Sequence, residues 1–351
     1  MKIVAKAPGK IILIGEYVVL EGCPALVCAT NRFATVTIEE THDSHTITAQ
    51  AIGIDAIPFS IENNLIKFAS RVDEDIKERL AFFNTTLEYI LELLFKNGLP
   101  VKFLQINIDT GSFYSEKHNT KFGFGSSAAL TVSLLKAFYQ LAGFDIKKSA
   151  VTDDLFRAAL QTHKKAQQNI GSGIDIAASS YGKVLQYTSG YDSSDKHLIP
   201  EILDEWPGLP GLIVFSGKSE STGKMVFGVN QLKLQKPDKY KELMAQLDKT
   251  AREGLAAYKS KNLFVFMNAV KTYYAQMNLL GKSSKMPIVS DIHQKIARIV
   301  HRNAGAYKPS GAGSGDIGIA FAESPQQILK IRNELEEKGF ECIEMKVANI
   351  L

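Results

Sequence analysis

The chain has 351 residues, 45% hydrophobic and 22% charged, a globular composition and enough length for more than one core. A formal net charge of +4 is too mild for a nucleic-acid binder and suits a small anionic ligand. Cys23, Cys28 and Cys342 cannot all pair and show no CxxC spacing, so they read as reduced thiols. MKIVAKAPGK lacks a signal-peptide core, and no apolar run reaches about 18 residues. The expectation is a cytoplasmic protein with no membrane partner.

Residues 2 to 40 alternate like antiparallel strands: KIVAKAP, a Pro8-Gly9 turn, KIILIGEYVVL, a break at Gly22 and Pro24, then ALVCATNRFATVTIEE. Residues 41 to 60 are polar with weak alternation. Helical periodicity runs from Ile76 to Lys96 and ends at Asn97-Gly98, and FLQINID (103 to 109) is a short strand. Ser126 to Leu141 reads as a largely buried helix closed by Gly143, and Asp153 or Asp154 caps the next, through about Gln168. The polar SGYDSSDKH (189 to 197) marks a boundary, dividing the chain into 1–195 and 196–351. Beyond it come a strand GLIVFSG (211 to 217) and helices at about 238–259, 262–279 and 287–303. The strand IGIAFA (317 to 322), a helix after Ser324 and the strand CIEMKV complete the chain. Strands and helices mix without regular βαβ alternation, which predicts an α+β class.

The stretch KFGFGSSAAL (121 to 130) sets two glycines and two serines before a helix, and three phosphate loops compete for it. A Walker A loop needs Gly-Lys-[Ser/Thr] after four spacers, and no lysine stands there; GKSESTGKM (217 to 225) has five spacers and also fails. Gly123, Gly125 and Ala128 satisfy G-x-G-x-x-A, but more than ten residues separate Asp109 from Gly123, so the Rossmann strand-to-turn context is missing. In the third reading the glycines let backbone approach a di- or triphosphate while the amides of the Ser126 helix face the anion. A plain glycine turn with a serine cap is the structural alternative.

Two further segments, AKAPGKIILIGEYVVLEG at the start and KPSGAGSGDIGIAF at 308 to 321, accompany this loop. Together the three resemble the GHMP kinases, which phosphorylate small metabolites, over essentially the whole chain. The resemblance implies a two-domain fold, an N-terminal ribosomal-protein-like α+β sandwich and a C-terminal ferredoxin-like sandwich, with the site between them. Within that family the wording is most similar to the phosphomevalonate kinase branch. GEY stands at 15 to 17 where mevalonate kinases and galactokinases usually have histidine for Tyr17; KFGFGSSAA, HKKAQQNIGSGIDIAASSYG (163 to 182) and GAGSGD, ending in Asp316, complete the match. Phe122, Phe124 and Ser314 depart mildly from it.

The resemblance implies ATP and Mg²⁺ as cofactors and phosphomevalonate as the acceptor, without nucleic acid, and admits a homodimer. Lys10 is the expected cation beside the transferring phosphoryl group, and Asp175 its partner across the cleft. Lys121, Gly123, Gly125, Ser126, Ser127 and Ala128 would hold nucleotide, with Ser127 toward the metal. Glu16, Tyr17, Ser219, Ser221, Lys224, Ser310, Gly311, Ala312 and Gly313 would face the acceptor, with Lys218, Thr222 and Lys183 as further lip or cationic candidates. Where mevalonate kinases place a metal-binding glutamate this chain reads His163-Lys164-Lys165, which leaves the second metal ligand unassigned. A phosphate acceptor, with a second pKa of about 6, needs no strong base, so cations matter more than Asp175. Another GHMP kinase, a catalytically silent metabolite sensor and, distantly, a dehydrogenase are the competing functions. The histidines form no HExxH zinc motif, and Trp206 reads as packing.

Overall fold

In the computed structural model, which describes residues 1–68, 72–96, 98, 102–167, 171–190, 199–220 and 222–349, two long strands open the chain. Strand β1 (Lys2–Ile14) pairs antiparallel with β2 (Pro24–Glu40) from Lys2↔Glu39 to Ile14↔Leu26. The expected Pro8-Gly9 turn is instead a register shift inside β1. Proline lacks the ladder donor and is tolerated at such a bulge. Gly9 fits there because a Cβ would lie 2.7 Å from both the Phe113 ring and the Phe124 carbonyl oxygen.

The weakly alternating region folds as β3 (His45–Ala49), β4 (Ile54–Glu62) and β5 (Leu65–Phe68). The helical run starting near Ile76 divides at Leu80 into α1 (Glu74–Arg79) and α2 (Ala81–Lys96); its expected stop at Asn97 lies outside the described residues. Strand β6 (Leu104–Asp109) enters the sheet between β2 and β3, parallel to β3. A small ribbon, β7 (Tyr114–Ser115) with β8 (Thr120–Lys121), delivers the glycine loop to α3 (Ser126–Leu141). Next come α4 (Ser149–Ala166), α5 (Ile174–Tyr181), β9 (Val184–Thr188) and β10 (Glu201–Leu203). The first sheet runs β10-β9-β2-β6-β3-β4-β5, with β1 on β2.

Neither Asp153 nor Asp154 caps α4. The helix begins four residues earlier, after Lys148, and the two carboxylates accept hydrogen bonds from Tyr181 (2.7 Å) and Tyr139 (2.6 Å). Most of the polar 189–197 patch lies outside the described residues. Strand β10 carries the first sheet past residue 196, where the sequence placed the division.

The second sheet is built from β11 (Gly211–Phe215), β12 (Ala306–Pro309), β13 (Ile317–Phe321) and β14 (Glu341–Glu344). Its order, β12-β13-β11-β14 with every neighbour antiparallel, is the ferredoxin-like arrangement. Four helices lie between β11 and β12: α6 (Thr222–Gln235), α7 (Pro237–Lys259), α8 (Leu263–Ser284) and α9 (Asp291–Arg302). The helix α10 (Pro325–Glu337) precedes β14. The helix α6 opens at Thr222, so Lys224 stands on a helix.

One apolar core fills the first unit, from Ala5 to Tyr187, and a smaller one lies around Val214, Ile296 and Leu335 in the second. A third joins the halves: Ile11, Leu13, Phe122 and Phe124 pack with Phe215, Tyr273 and Met277. Phe122 meets Phe215 edge-on at 5.0 Å between ring centroids. Burial of such rings is worth about 2–3 kcal/mol each, and here it anchors the glycine loop to the second sheet. Trp206 packs edge-on against Tyr258 (5.6 Å) and Phe266 (6.0 Å).

Candidate active site

The glycine loop begins at Phe122, whose N–H donates to the Phe113 carbonyl (3.0 Å), and ends at Gly125, the residue before α3, with φ 78°. That left-handed backbone favours glycine. A Cβ on Gly125 would also touch Lys10 Cγ and Cε at 3.5 Å and Asp175 Cβ at 3.6 Å. The helix start, the β1 lysine and the α5 carboxylate therefore converge on one residue. The first amides of α3 point into this space, with the helix dipole favouring an anion there.

Lys10 is fixed at its backbone by an N–H bond to the Phe124 carbonyl (2.8 Å), and its Nζ donates to the Gly123 carbonyl at 3.2 Å. The expected direct ion pair with Asp175 is not formed among the described residues. Asp175 sits in the first turn of α5, and its Oδ1 accepts the Ile176 N–H (3.0 Å). Partial exposure to the cavity and the helix N-terminus stabilise its charge without an ion pair.

Lys10, Glu16, Tyr17, Asp175, Gly311 and Ala312 line a cavity of about 120 Å³. Tyr17, with φ 65°, donates its hydroxyl to the Ala312 carbonyl at 2.5 Å, and burial pushes its phenol far up. Glu16 is buried and ion-paired with the equally buried Lys308, whose Nζ also donates to the carbonyls of Ile12 (3.3 Å) and Pro309 (2.8 Å). Burial pushes the Glu16 carboxyl up and the Lys308 ammonium down, each opposed by the other's charge. The second oxygen of Glu16, Oε2, is buried with no hydrogen-bond partner among the described residues.

The remaining expected residues divide. Ser127 Oγ lies 3.2 Å from His163 Nε2. Ala128 is buried in the first core and Ser126 opens α3. Lys121 is exposed, with Nζ 5.7 Å over the Tyr114 ring. Ser310 is engaged by β1, donating to the Ile12 carbonyl (3.0 Å) and accepting its N–H (2.9 Å). Gly313 is there for packing, since a Cβ would lie 2.2 Å from the Ile288 carbonyl oxygen. Lys224 is exposed beside Glu220 at 4.0 Å, and Ser219 stands on the rim of a separate cleft with Lys218. Thr222 lines the cavity. Lys183 does not; its backbone joins Ala29 and Ala348. Ser221 lies outside the described residues.

The structure adds His163, Lys308 and Asp316 to the site's surroundings. Burial holds the His163 imidazole below its usual range, against the pull of Asp175, and its ring stacks on Phe82 at 5.0 Å. Only the adjacency of Lys308 to the SGAGSGD loop hinted at its role. Among the described residues no three His, Cys, Asp or Glu gather as a metal cluster, and no helix is long and apolar enough to cross a membrane.

Residues 84–183 match the GHMP kinases N terminal domain. The chain is 25% identical over 366 residues to a phosphomevalonate kinase of Streptomyces sp. strain CL190, covering 96% of this chain and 95% of that one. It is also 25% identical over 348 residues to a mevalonate kinase of Thermococcus onnurineus strain NA1, covering 97% and 94%. Among solved structures, the Lin0012 protein of Listeria innocua superposes with a TM-score of 0.87 at 24% identity, over 99% of this chain and 98% of that one. The fold is thus the two-unit α/β architecture of GHMP kinases. Residues 84–183 carry the signature of the GHMP kinases N terminal domain, and over nearly its whole length the chain is similar to kinases of that superfamily.

Proposed function

We propose that the protein is an ATP-dependent phosphomevalonate kinase of the mevalonate pathway, converting 5-phosphomevalonate to 5-diphosphomevalonate. The observation that carries this reading is Lys10. Its ammonium rests on a carbonyl oxygen, with no ion pair to Asp175, at the start of a dipole-bearing helix. A cation there, without a direct ion pair to Asp175, suits two anionic reactants held together, and phosphoryl transfer is mostly positioning and charge stabilisation.

In this reading Gly123, Gly125 and the amides of Ser126 and Ser127 hold the nucleotide's phosphates. A phosphate oxygen of the acceptor attacks the γ-phosphorus; the new P–O bond forms as the bond to the bridging oxygen breaks, and ADP leaves with that electron pair. The acceptor dianion carries no proton that must be removed, so Asp175 orients and balances charge. Ser127 offers one hydroxyl oxygen for Mg²⁺, which suits an ion that keeps phosphates and waters as its other ligands. When bound, that ion neutralises charge on the phosphates. Its neighbour His163, a nitrogen donor held neutral by burial, is a poor ligand for so hard a cation.

Phosphorylation of mevalonate is the second reading, favoured by the equal identity to a mevalonate kinase and by a carboxylate, Asp175, at the cavity. ADP release with ATP and Mg²⁺ is measured against mevalonate, phosphomevalonate, galactose and homoserine separately. Turnover confined to phosphomevalonate is the expected result; turnover with mevalonate alone replaces it with the second reading. Absence of turnover with all four, in folded protein that binds ATP, moves the weight to an untested acceptor or a sensor.

A further inference from the structure

The Asp316 side chain is seated on the face of Gly123. A Cβ at Gly123 would lie 2.5 Å from Asp316 Cβ and Cγ and 2.8 Å from Oδ2. The same glycine receives the Lys10 ammonium on its carbonyl oxygen. One peptide of the glycine loop is thus flanked by a cation and a carboxyl group.

Asp316 is held there from several sides. Its N–H donates to the Lys218 carbonyl (2.6 Å), its carbonyl accepts the Ser216 N–H (2.9 Å), and Oδ1 accepts the Glu220 N–H (3.2 Å). Its φ of 56° lies in the left-handed region, uncommon for a residue other than glycine though more accessible to aspartate than to most. Beneath the loop, the neighbouring Gly315 carbonyl lies 2.9 Å from Nε2 of the buried His293.

We propose that Asp316 enters the nucleotide-bound state as a carboxylic acid, taking a proton from solvent and donating it in a hydrogen bond to a phosphate oxygen at Gly123. This rests on the kinase reading above and deepens it. A carboxylate against an anion site repels its ligand, whereas the protonated acid adds a donor to a loop otherwise furnished by amides. The groups facing Asp316 are Lys10 from β1, which favours the anion, and Glu220 from the 216–220 lip, which opposes it. Ser219 and the Glu220 amide give hydrogen bonds to the anion. Glu220 is itself contacted by Ser314 (3.2 Å) and lies 4.0 Å from Lys224. Burial outweighs the other effects and raises the Asp316 carboxyl to about 6 before any phosphate arrives; a polyanion raises it further.

The test is calorimetric binding of the non-hydrolysable AMP-PNP with Mg²⁺ at pH 7, in buffers of different ionisation enthalpy, for wild type, Asp316→Asn and Asp316→Ser. Wild type is expected to take up most of one proton more than either variant; the nucleotide's own titration cancels in the difference. Wild-type affinity falls as pH rises from 6 to 8, approaching about tenfold per pH unit for one linked proton, and the variants lose that slope. A ¹³C carboxyl signal that disappears in Asp316→Asn gives the same quantity in wild type alone and is expected to titrate higher with AMP-PNP bound. Equal proton uptake in all three proteins, or a carboxyl titration that falls on binding, overturns the proposal and leaves the kinase reading intact. Failure of wild type to bind AMP-PNP at all overturns both.

Discussion

Ser127 Oγ stands 3.2 Å from Nε2 of His163, whose ring stacks on Phe82. A hydroxyl proposed to meet a metal is therefore oriented by a buried neutral imidazole. Removing such a supporting partner costs about 10- to 100-fold in metal affinity. His163→Ala is expected to raise the Mg²⁺ concentration for half-maximal activity about tenfold, and His163→Gln, which keeps a polar partner, to recover part of it. Titration of activity with Mg²⁺ at saturating ATP measures this; unchanged Mg²⁺ dependence in both variants rejects the supporting role.

Lys10 and Asp175 flank Gly125 without pairing, so their losses differ. Lys10→Met removes a charge aimed at the transferring group and is expected to lower kcat by about 10²–10³, as for loss of one preorganised donor. Asp175→Asn is expected to lower it by about tenfold or less, because no base is required. Single-turnover rates with phosphomevalonate decide the matter. Comparable, complete loss in both variants would restore a base role to Asp175.

The Glu16–Lys308 pair joins the segment just after β1 to β12 with both side chains out of water. Breaking such a pair from one side costs about 3–5 kcal/mol, since the remaining charge is stranded. Lys308→Met is expected to destabilise by that order, and Glu16→Gln added to it to return a large part of the loss. Urea unfolding of the single and double variants reads this. Additive losses would mean the two charges do not interact.

Lys136, in the middle of α3, is buried with no hydrogen-bond partner for Nζ among the described residues, and burial pushes its ammonium down to about 8. The unfolded lysine titrates at about 10.4. Below pH 8 both states hold the proton and the folded protein bears the full desolvation cost. Between about 8 and 10.4 the folded state releases it first, and stability rises with pH. Lys136→Met is expected to raise stability at pH 7 by up to about 3 kcal/mol, with the gain shrinking toward pH 10. Thermal melts across that range would contradict this if the two proteins differed by a constant amount.

The α3 helix, the long opening strands and the three glycine segments were legible because their signals are local. A sixteen-residue stretch rich in alanine and leucine follows the Gly123-Phe124-Gly125 loop, and alternation persists through β1 and β2. The rest depends on distant partners. Asp153 and Asp154 look like caps until the Tyr181 and Tyr139 hydroxyls claim them. Pro8-Gly9 reads as a turn, yet β2 supplies a partner on both sides of the irregularity and keeps the strand running. In the site, Lys10, Ser127 and Asp175 stood out by motif, but His163, Lys308 and Asp316 acquire meaning only from what faces them. Ser310 and Gly313 show the reverse: residues of a recognisable loop whose contacts are with the scaffold.

The Phe122 ring leans on Phe215, so the loop that would receive phosphates is upholstered by the other half of the chain. Were the gene cut between the two sheets, the first fragment would expose an oily wall beneath its glycine loop, and the second a matching one. The halves are obligate companions, inherited and melted together: a calorimeter should record one endotherm, and neither piece should serve as a portable nucleotide-binding cassette.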